Sequence, residues 1–524
     1  MTRRRLPDLA GGGKTVPCLA AALIAGAGLV GGCALQPTYV QPAAPVAATF
    51  PAGDAYKPAA SDKAPAALAA AAAAKAADIG WRDVLTDRRL QRLVEIGLAN
   101  NRDLRVAALN VAQVQAQYRI QRATLFPQID AAAGLSSSRT PASVSSIKQA
   151  FVQRAYSVDL SASWEIDFFG RLRSLSEAAL QQYFASAQAR KATEILLVSQ
   201  IADQYLTLLS FDELVAVTER TLESAQASYK LTLLQFQTGT GTELSLREAE
   251  TVVEQAKANY SAQIRGRAQA ENALVLLLGQ PLPQDLPPPV PLSAQTILAD
   301  IPAGLPSDLL ARRPDIMQAE AVLRSANASI GAARAAFFPT IGLTGDFGTA
   351  SSALDGLFKA GSKEWSFAPS ITLPIFNAGS LEASLDVAKI QKDISIAQYE
   401  KAIQTAFREV ADGLAARGTY DDQAASQERF TEAQQRRLDL SNLRFRSGVD
   451  PYLTVLTAQT DLYNAQQTLV SVRLARLTNL VDLYRFLGGG WIERAGDAPR
   501  APEAAGAIGA AGALESKLSR ADGR

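Results

Sequence analysis

The chain of 524 residues contains no histidine, and Met317 is its only methionine after the initiator. Imidazole and thioether donors are therefore nearly absent, which argues against a metal enzyme and against histidine-based acid–base chemistry. Cysteine occurs twice, at Cys18 and Cys33, too seldom for a disulfide framework. A surplus of one charge is missing too: 52 basic against 51 acidic residues leave a formal charge of +1, without the basic footprint that nucleic-acid binding leaves. Proline is absent from 142 to 280 and from 375 to 450, so these stretches can carry very long helices. No nucleophile is set beside a base. "GGGKT" (11–15) imitates the end of a phosphate loop, but Asp8 stands where its first glycine belongs and no strand precedes it. No enzymatic activity, metal or soluble cofactor is expected.

What is present begins with an export signal, residues 1–32: Arg3, Arg4 and Arg5, then the apolar run "CLAAALIAGAGLV", then Gly31 and Gly32 before Cys33. The run is too short for an ordinary membrane span. "LVGGC" resembles the lipobox of bacterial lipoproteins, which implies that Cys33 becomes an acylated N-terminus. Each buried methylene contributes about 0.8 kcal/mol, so several acyl chains hold a protein firmly on a bilayer. Ala34 rather than Asp after the cysteine implies, by the same resemblance, delivery to the outer membrane. Cys18 then leaves with the signal. Residues 33–80, rich in Ala and Pro, read as a lipid-anchored linker, and 492–524 as a disordered tail.

Between these ends one plan occurs twice. Asp103 and Phe126-Pro127 map onto Asp315 and Phe338-Pro339 at a shift of 212, and Gly170, Gly239 and Gly279 onto Gly379, Gly448 and Gly488 at a shift of 209. A period this long is a duplicated half. The first repeat is 81–279, a Pro-rich segment 280–314 follows, and the second repeat is 315–491. Helices over 103–125, 171–237 and 242–278 would be roughly 35, 100 and 55 Å long, and 315–337, 380–446 and 451–487 would match them. Each half can thus set two short helices end to end beside a long one, with Gly239 and Gly448 at turnarounds. Leu456, Tyr463, Val470, Leu477 and Tyr484 recur every seven residues, the spacing of an apolar seam.

Between the short and long helices the period changes from helical to two. In "YSVDLSASWEID" the residues Tyr156, Val158, Leu160, Ala162, Trp164 and Ile166 share one face, while Asp159, Glu165 and Asp167 take the other with serines. Strands are expected over 128–136, 156–167, 340–348 and 364–375, with Asp130 and Asp346 also on polar faces. Pro369 and Pro374 should interrupt or bend the last. Such strands suit an outer-membrane barrel with apolar residues outward. Its edges cannot stay open in lipid, and four strands are too few to close, so the chain must oligomerise.

The segments "LLARRPDIMQAEAVLRSANASIGAARAAFFPTIGL", "WEIDFFGRLR", "LPIFNAGSLEA", "LRFRSGVDPYLTVLTAQTDLYNAQQTLV" and "LGGGW" resemble the signature segments of TolC-like outer-membrane efflux factors, in their lipoprotein (NodT/OprM-like) branch. The resemblance implies a mainly α fold with a membrane β-barrel. Three chains would share twelve strands, continued by an α-helical periplasmic barrel. A belt would be built from 81–102, 280–314 and the segment after Gly488. It implies as partners a periplasmic adaptor (membrane fusion) protein, an inner-membrane pump of the resistance-nodulation-division (RND) type and outer-membrane lipid. Thr238, Gly239, Thr240, Gly241, Ser447, Gly448, Val449 and Pro451 would form the adaptor-facing tip. The branch closes its entrance with a leucine ring and a carboxylate one turn deeper. These positions fall on Leu453 and Thr457, so the acid is missing there and Asp450 is the nearest substitute.

The resulting expectation is a passive exit duct for small molecules. Threefold copies of Asp130, Asp159, Glu165, Asp167 and Asp346 would line it and favour cations. Two other readings stand beside it: an exporter serving type I protein secretion, and a lipid-anchored coiled-coil spacer without a pore. The spacer leaves the strand alternation unexplained.

Overall fold

The computed structural model describes residues 35–56, 78–298 and 306–494. The expected signal, Cys33, nearly half of the linker and nearly all of the tail lie outside the described residues.

The first repeat comprises α1 (Trp81–Val84), α2 (Arg88–Asn100), α3 (Arg102–Ala123), β1 (Gln128–Thr140), β2 (Phe151–Ile166), α4 (Arg171–Gln237) and α5 (Glu243–Leu278). After α6 (Pro306–Arg312), the second comprises α7 (Pro314–Ala335), β3 (Thr340–Ser351), β4 (Lys363–Thr372), α8 (Ser380–Arg446) and α9 (Tyr452–Phe486). The lengths repeat closely: 22 and 22 residues for α3 and α7, 67 and 67 for α4 and α8, 36 and 35 for α5 and α9.

The joints between the short helices repeat as well. Asn101 Nδ2 donates to Leu277 O at 2.8 Å, and Arg313 Nη1 to Phe486 O at 3.0 Å. These partners are related by the same shifts of 212 and 209. Gly279 and Gly488 end α5 and α9 at φ +72° and +83°. A side chain on Gly279 would collide with the Asn100 carbonyl, so glycine permits both the left-handed cap and the close approach. Arg313 is buried and also binds both carboxylate oxygens of Asp315 (3.0 and 2.6 Å) and Glu409 at 2.8 Å. Burial alone would lower its pKa, but the two carboxylates more than reverse that.

The described residues form two compact units. One contains 35–41, 114–183 and 322–396, and therefore all four strands; the other contains the remaining described residues. In the first, the strands form one antiparallel sheet in the order β1-β2-β3-β4. The β1–β2 hairpin extends beyond the expected bounds, as far as Thr140 paired with Phe151, because ladder hydrogen bonds do not require the apolar alternation to continue. β3 likewise runs on to Ser351. β4 does not reach 375. It pairs without interruption through Pro369, opposite Leu343, and ends at Thr372, before Pro374. Only alternate N–H groups of β4 are directed at β3, so one proline is compatible with unbroken pairing on that side and the expected break at Pro369 does not occur.

In the same unit an extended N-terminal segment runs antiparallel to α7. Arg334 donates to Leu35 O at 3.3 Å and Asn327 Nδ2 to Pro37 O at 2.8 Å, while Arg324 lies 4.8 Å above the Tyr39 ring. Gly331 leaves room for Gln36, which a side chain there would strike.

In the second unit the seven-residue seam is the buried face of α9: Leu456, Tyr463, Val470, Leu477 and Tyr484 are all under 9% exposed. The belt segments meet here. Leu85 bridges Ile297, Trp81 N donates to Ile492 O, and Asp87 ties three elements together. Its carboxylate caps α2 through Arg89 N (2.7 Å), and accepts from the Tyr205 hydroxyl of α4 (2.9 Å) and from Gln295 Nε2 (2.7 Å).

Candidate functional site

Barrel face, turnarounds and first turn of α9 are the three places where function was expected. On the sheet, register brings the acids into rows. Asp130, Ser161, Asp346 and Ser366 are successive cross-strand partners, and one step along lie Ala132, Asp159, Gly348 and Glu364. Asp130, Asp159 and Asp346 therefore share one face, and Glu364 joins them. Sequence reasoning passed over Glu364 although it has the same parity as Ser366 and Ser370. Two of the five expected acids do other work. Asp167 lies beyond the end of β2 and caps α4, accepting from Leu172 N (3.1 Å) and Arg173 N (2.8 Å). Glu165 is held by both Nε and Nη2 of Arg171 (3.0 and 2.6 Å), so its charge is matched locally.

The opposite face is apolar and open. Ile129, Leu160, Phe347, Trp365, Phe367 and Ile371 are all more than half exposed. A contiguous apolar surface this broad needs a covering. β1 and β4 each have one neighbour only, so both sheet edges also carry unpaired backbone groups.

Both turnarounds use the same cap. Gly239 N donates to Phe236 O and Thr240 N to Gln235 O; Gly448 N donates to Phe445 O and Val449 N to Arg444 O. This is the Schellman pattern, with glycine at φ +73° and +71°. Thr242 Oγ1 then caps α5 through Ser245 N at 3.2 Å, whereas Pro451 leads into α9 without a side-chain cap. The two turns share one end: Ala249, Leu438, Tyr452, Val455, Leu456, Ala458 and Leu462 form a buried cluster flanked by Tyr229, Val252 and Phe445. Asp450 does not present a free carboxylate. Arg444 grips it through two bonds of 2.6 and 2.8 Å and holds it below the usual carboxylate range.

On α9, Leu453 is 56% exposed, pointing away from that cluster. Along the same stripe Thr457, Thr460, Asn464, Thr468 and Ser471 are exposed too, so Leu453 is the one large apolar residue on a polar track. Thr457 returns its hydroxyl to Leu453 O at 3.0 Å.

No helix among the described residues is long and apolar enough to cross a membrane, and no group of metal-ligating residues occurs among them. The family model described as "Outer membrane efflux protein" matches residues 93–280 and 305–489. The chain belongs to the outer membrane efflux protein family. It is 49% identical over 471 residues to the toluene efflux pump outer membrane protein TtgC and, equally, to the antibiotic efflux pump outer membrane protein ArpC, both of Pseudomonas putida. Each alignment covers 90% of this chain and 95% of the relative. Among solved structures, the open state of the Neisseria gonorrhoeae MtrE outer membrane channel is 40% identical, with a TM-score of 0.78, covering 89% of this chain and all of that one. This efflux protein thus has the TolC-like channel fold and is an outer-membrane component of an efflux pump.

Proposed function

We propose that three copies of the chain close a twelve-stranded barrel and form the passive exit duct of a tripartite pump. The observation that carries this reading is the four-stranded sheet with an apolar exposed face and two free edges. Lipid tolerates no open edge, and twelve strands lie within the range of closed barrels whereas four do not. Val387, Ile390 and Ile394 on α8 add an exposed apolar stripe that a neighbouring copy would cover.

The duct takes its cargo from an inner-membrane RND pump through a periplasmic adaptor docked at the turns 238–242 and 447–451. By analogy with relatives named for toluene and antibiotics, the cargo is small apolar or amphiphilic molecules. Cys33 carries acyl chains. The support is positional: Leu35, two residues later, is held by Arg334, which lies six positions before the first residue of β3. An anchor at Cys33 would enter the bilayer next to the barrel.

Leu453 closes the entrance, since an apolar ring on a polar track excludes water and ions when narrow. Leu453→Ala should raise influx of a large antibiotic through the resting duct severalfold; unchanged influx with normal trimer levels would remove Leu453 from the gate. The duct itself is tested by deleting the gene and measuring toluene and antibiotic tolerance. Deletion is expected to cause sensitivity and the intact chain to restore tolerance, and unchanged tolerance with no alternative channel expressed would refute the efflux role.

A further inference from the structure

The internal repeat reaches into the entrance. α5 and α9 begin at positions separated by 209, Glu243 and Tyr452, each just after a Schellman turn whose glycine has nearly the same φ. From these equivalent starts the two helices carry matching residues, all exposed except the half-buried Glu248. On α9 they are Leu453, Thr457, Thr460 and Asn464; on α5, Leu244, Glu248, Thr251 and Gln255. Leucine and the second threonine are identical, the amides are homologous, and only the residue one turn in differs, threonine against glutamate. Leu244 is 69% exposed, more than Leu453, although each starts a helix whose opposite side is buried at Leu246 or Val455. Among the described residues, nothing in the protomer covers either of these exposed leucines at the mouths of the two hairpins.

The geometry points to an entrance lined by both repeats: Leu244 and Leu453 alternate in a ring of six apolar side chains, and Glu248 supplies the carboxylates one turn deeper. This rests on the trimer and on the gate at Leu453, and assigns the charge that position 457 lacks. Two of the arginines at this mouth are matched locally, while Arg446 is exposed at the end of α8. Arg247 binds Glu250 at 2.8 Å and Glu243 at 3.4 Å, and Arg444 binds Asp450. Glu248 is close enough to α9 for its charge to act on Tyr452, whose phenol is pushed up by burial first and by Glu248 in addition. Three carboxylates at a narrow, partly dry constriction would draw cationic cargo and repel anions.

The test compares single variants of the full-length protein in planar bilayers and in cells, after confirming equal trimer levels. Leu244→Ala should increase leakage severalfold, as Leu453→Ala does, and the double variant should leak more than either. Glu248→Gln should lower the cation-to-anion permeability ratio measured with potassium chloride gradients, and Thr457→Glu should raise it. If Leu453→Ala leaks while Leu244→Ala behaves as the parent, the shared ring is wrong and the gate at Leu453 survives. Should neither leak, the gate reading falls as well. An unchanged permeability ratio in Glu248→Gln would remove the carboxylate from the constriction.

Discussion

Asp203 on α4 is half-buried, near Asp482 and Arg485 of α9, and its Oδ1 is shut off from solvent with no donor reaching it among the described residues. Burial, with the Asp482 charge adding and Arg485 opposing, pushes its pKa up to about 8. The folded state therefore holds a proton that the unfolded state releases near pH 4, so this residue makes stability fall as pH rises from about 4 to about 8 and adds no slope above that. Asp203→Asn should flatten the melting temperature across this window and stabilise the protein most at pH 9. An unaltered pH profile would show that Asp203 is ionised and solvated in the assembled protein. Residues of this kind were not legible in the sequence, where Asp203 is one of many acids on a long helix. Glu165 and Asp450 show the same limit: their positions were readable, but not the arginines that neutralise them, because Arg171 and Arg444 come into range only once strand end, turn and helix are placed.

At the scale of elements, the two repeats solve one problem with different chemistry. The end-to-end joint between short helices is made by a neutral Asn101 in the first and by a buried Arg313 with two carboxylates in the second. Removing a charge-assisted set costs more than removing a neutral bond. Arg313→Met should lower stability by about 3–4 kcal/mol, and Asn101→Ala, which also loses the cap its Oδ1 gives to Leu104 N at 2.9 Å, by about 2 kcal/mol, read from denaturant or thermal melts. Equal losses would mean that Asp315 and Glu409 find water when unpaired. The helices were legible because Pro and Gly punctuate them and their lengths repeat. The strands were legible where lipid demands alternation and illegible where the ladder alone sustains them, as in 137–140 and 151–155. Asp167 was misplaced for the complementary reason: parity continues past Ile166 although the chain has already turned to cap α4.

For the whole molecule, the register of the sheet turns scattered acids into two adjacent rows, Asp130 with Asp346 and Asp159 with Glu364. Copied threefold on the inner face of the proposed barrel, they would give the duct a negative band near its outer end. Asp130→Asn combined with Asp346→Asn should shift the reversal potential of reconstituted channels toward lower cation preference. Identical potentials would mean that a wide, wet barrel screens these charges. The apolar outer face and free edges of the same sheet make the strongest demand, because nothing among the described residues of one chain satisfies them. Native mass spectrometry of the protein extracted from outer membranes in mild detergent tests this most directly. Complexes of three protomers are predicted; a population of lone protomers, under conditions that keep the fold, would contradict the shared barrel.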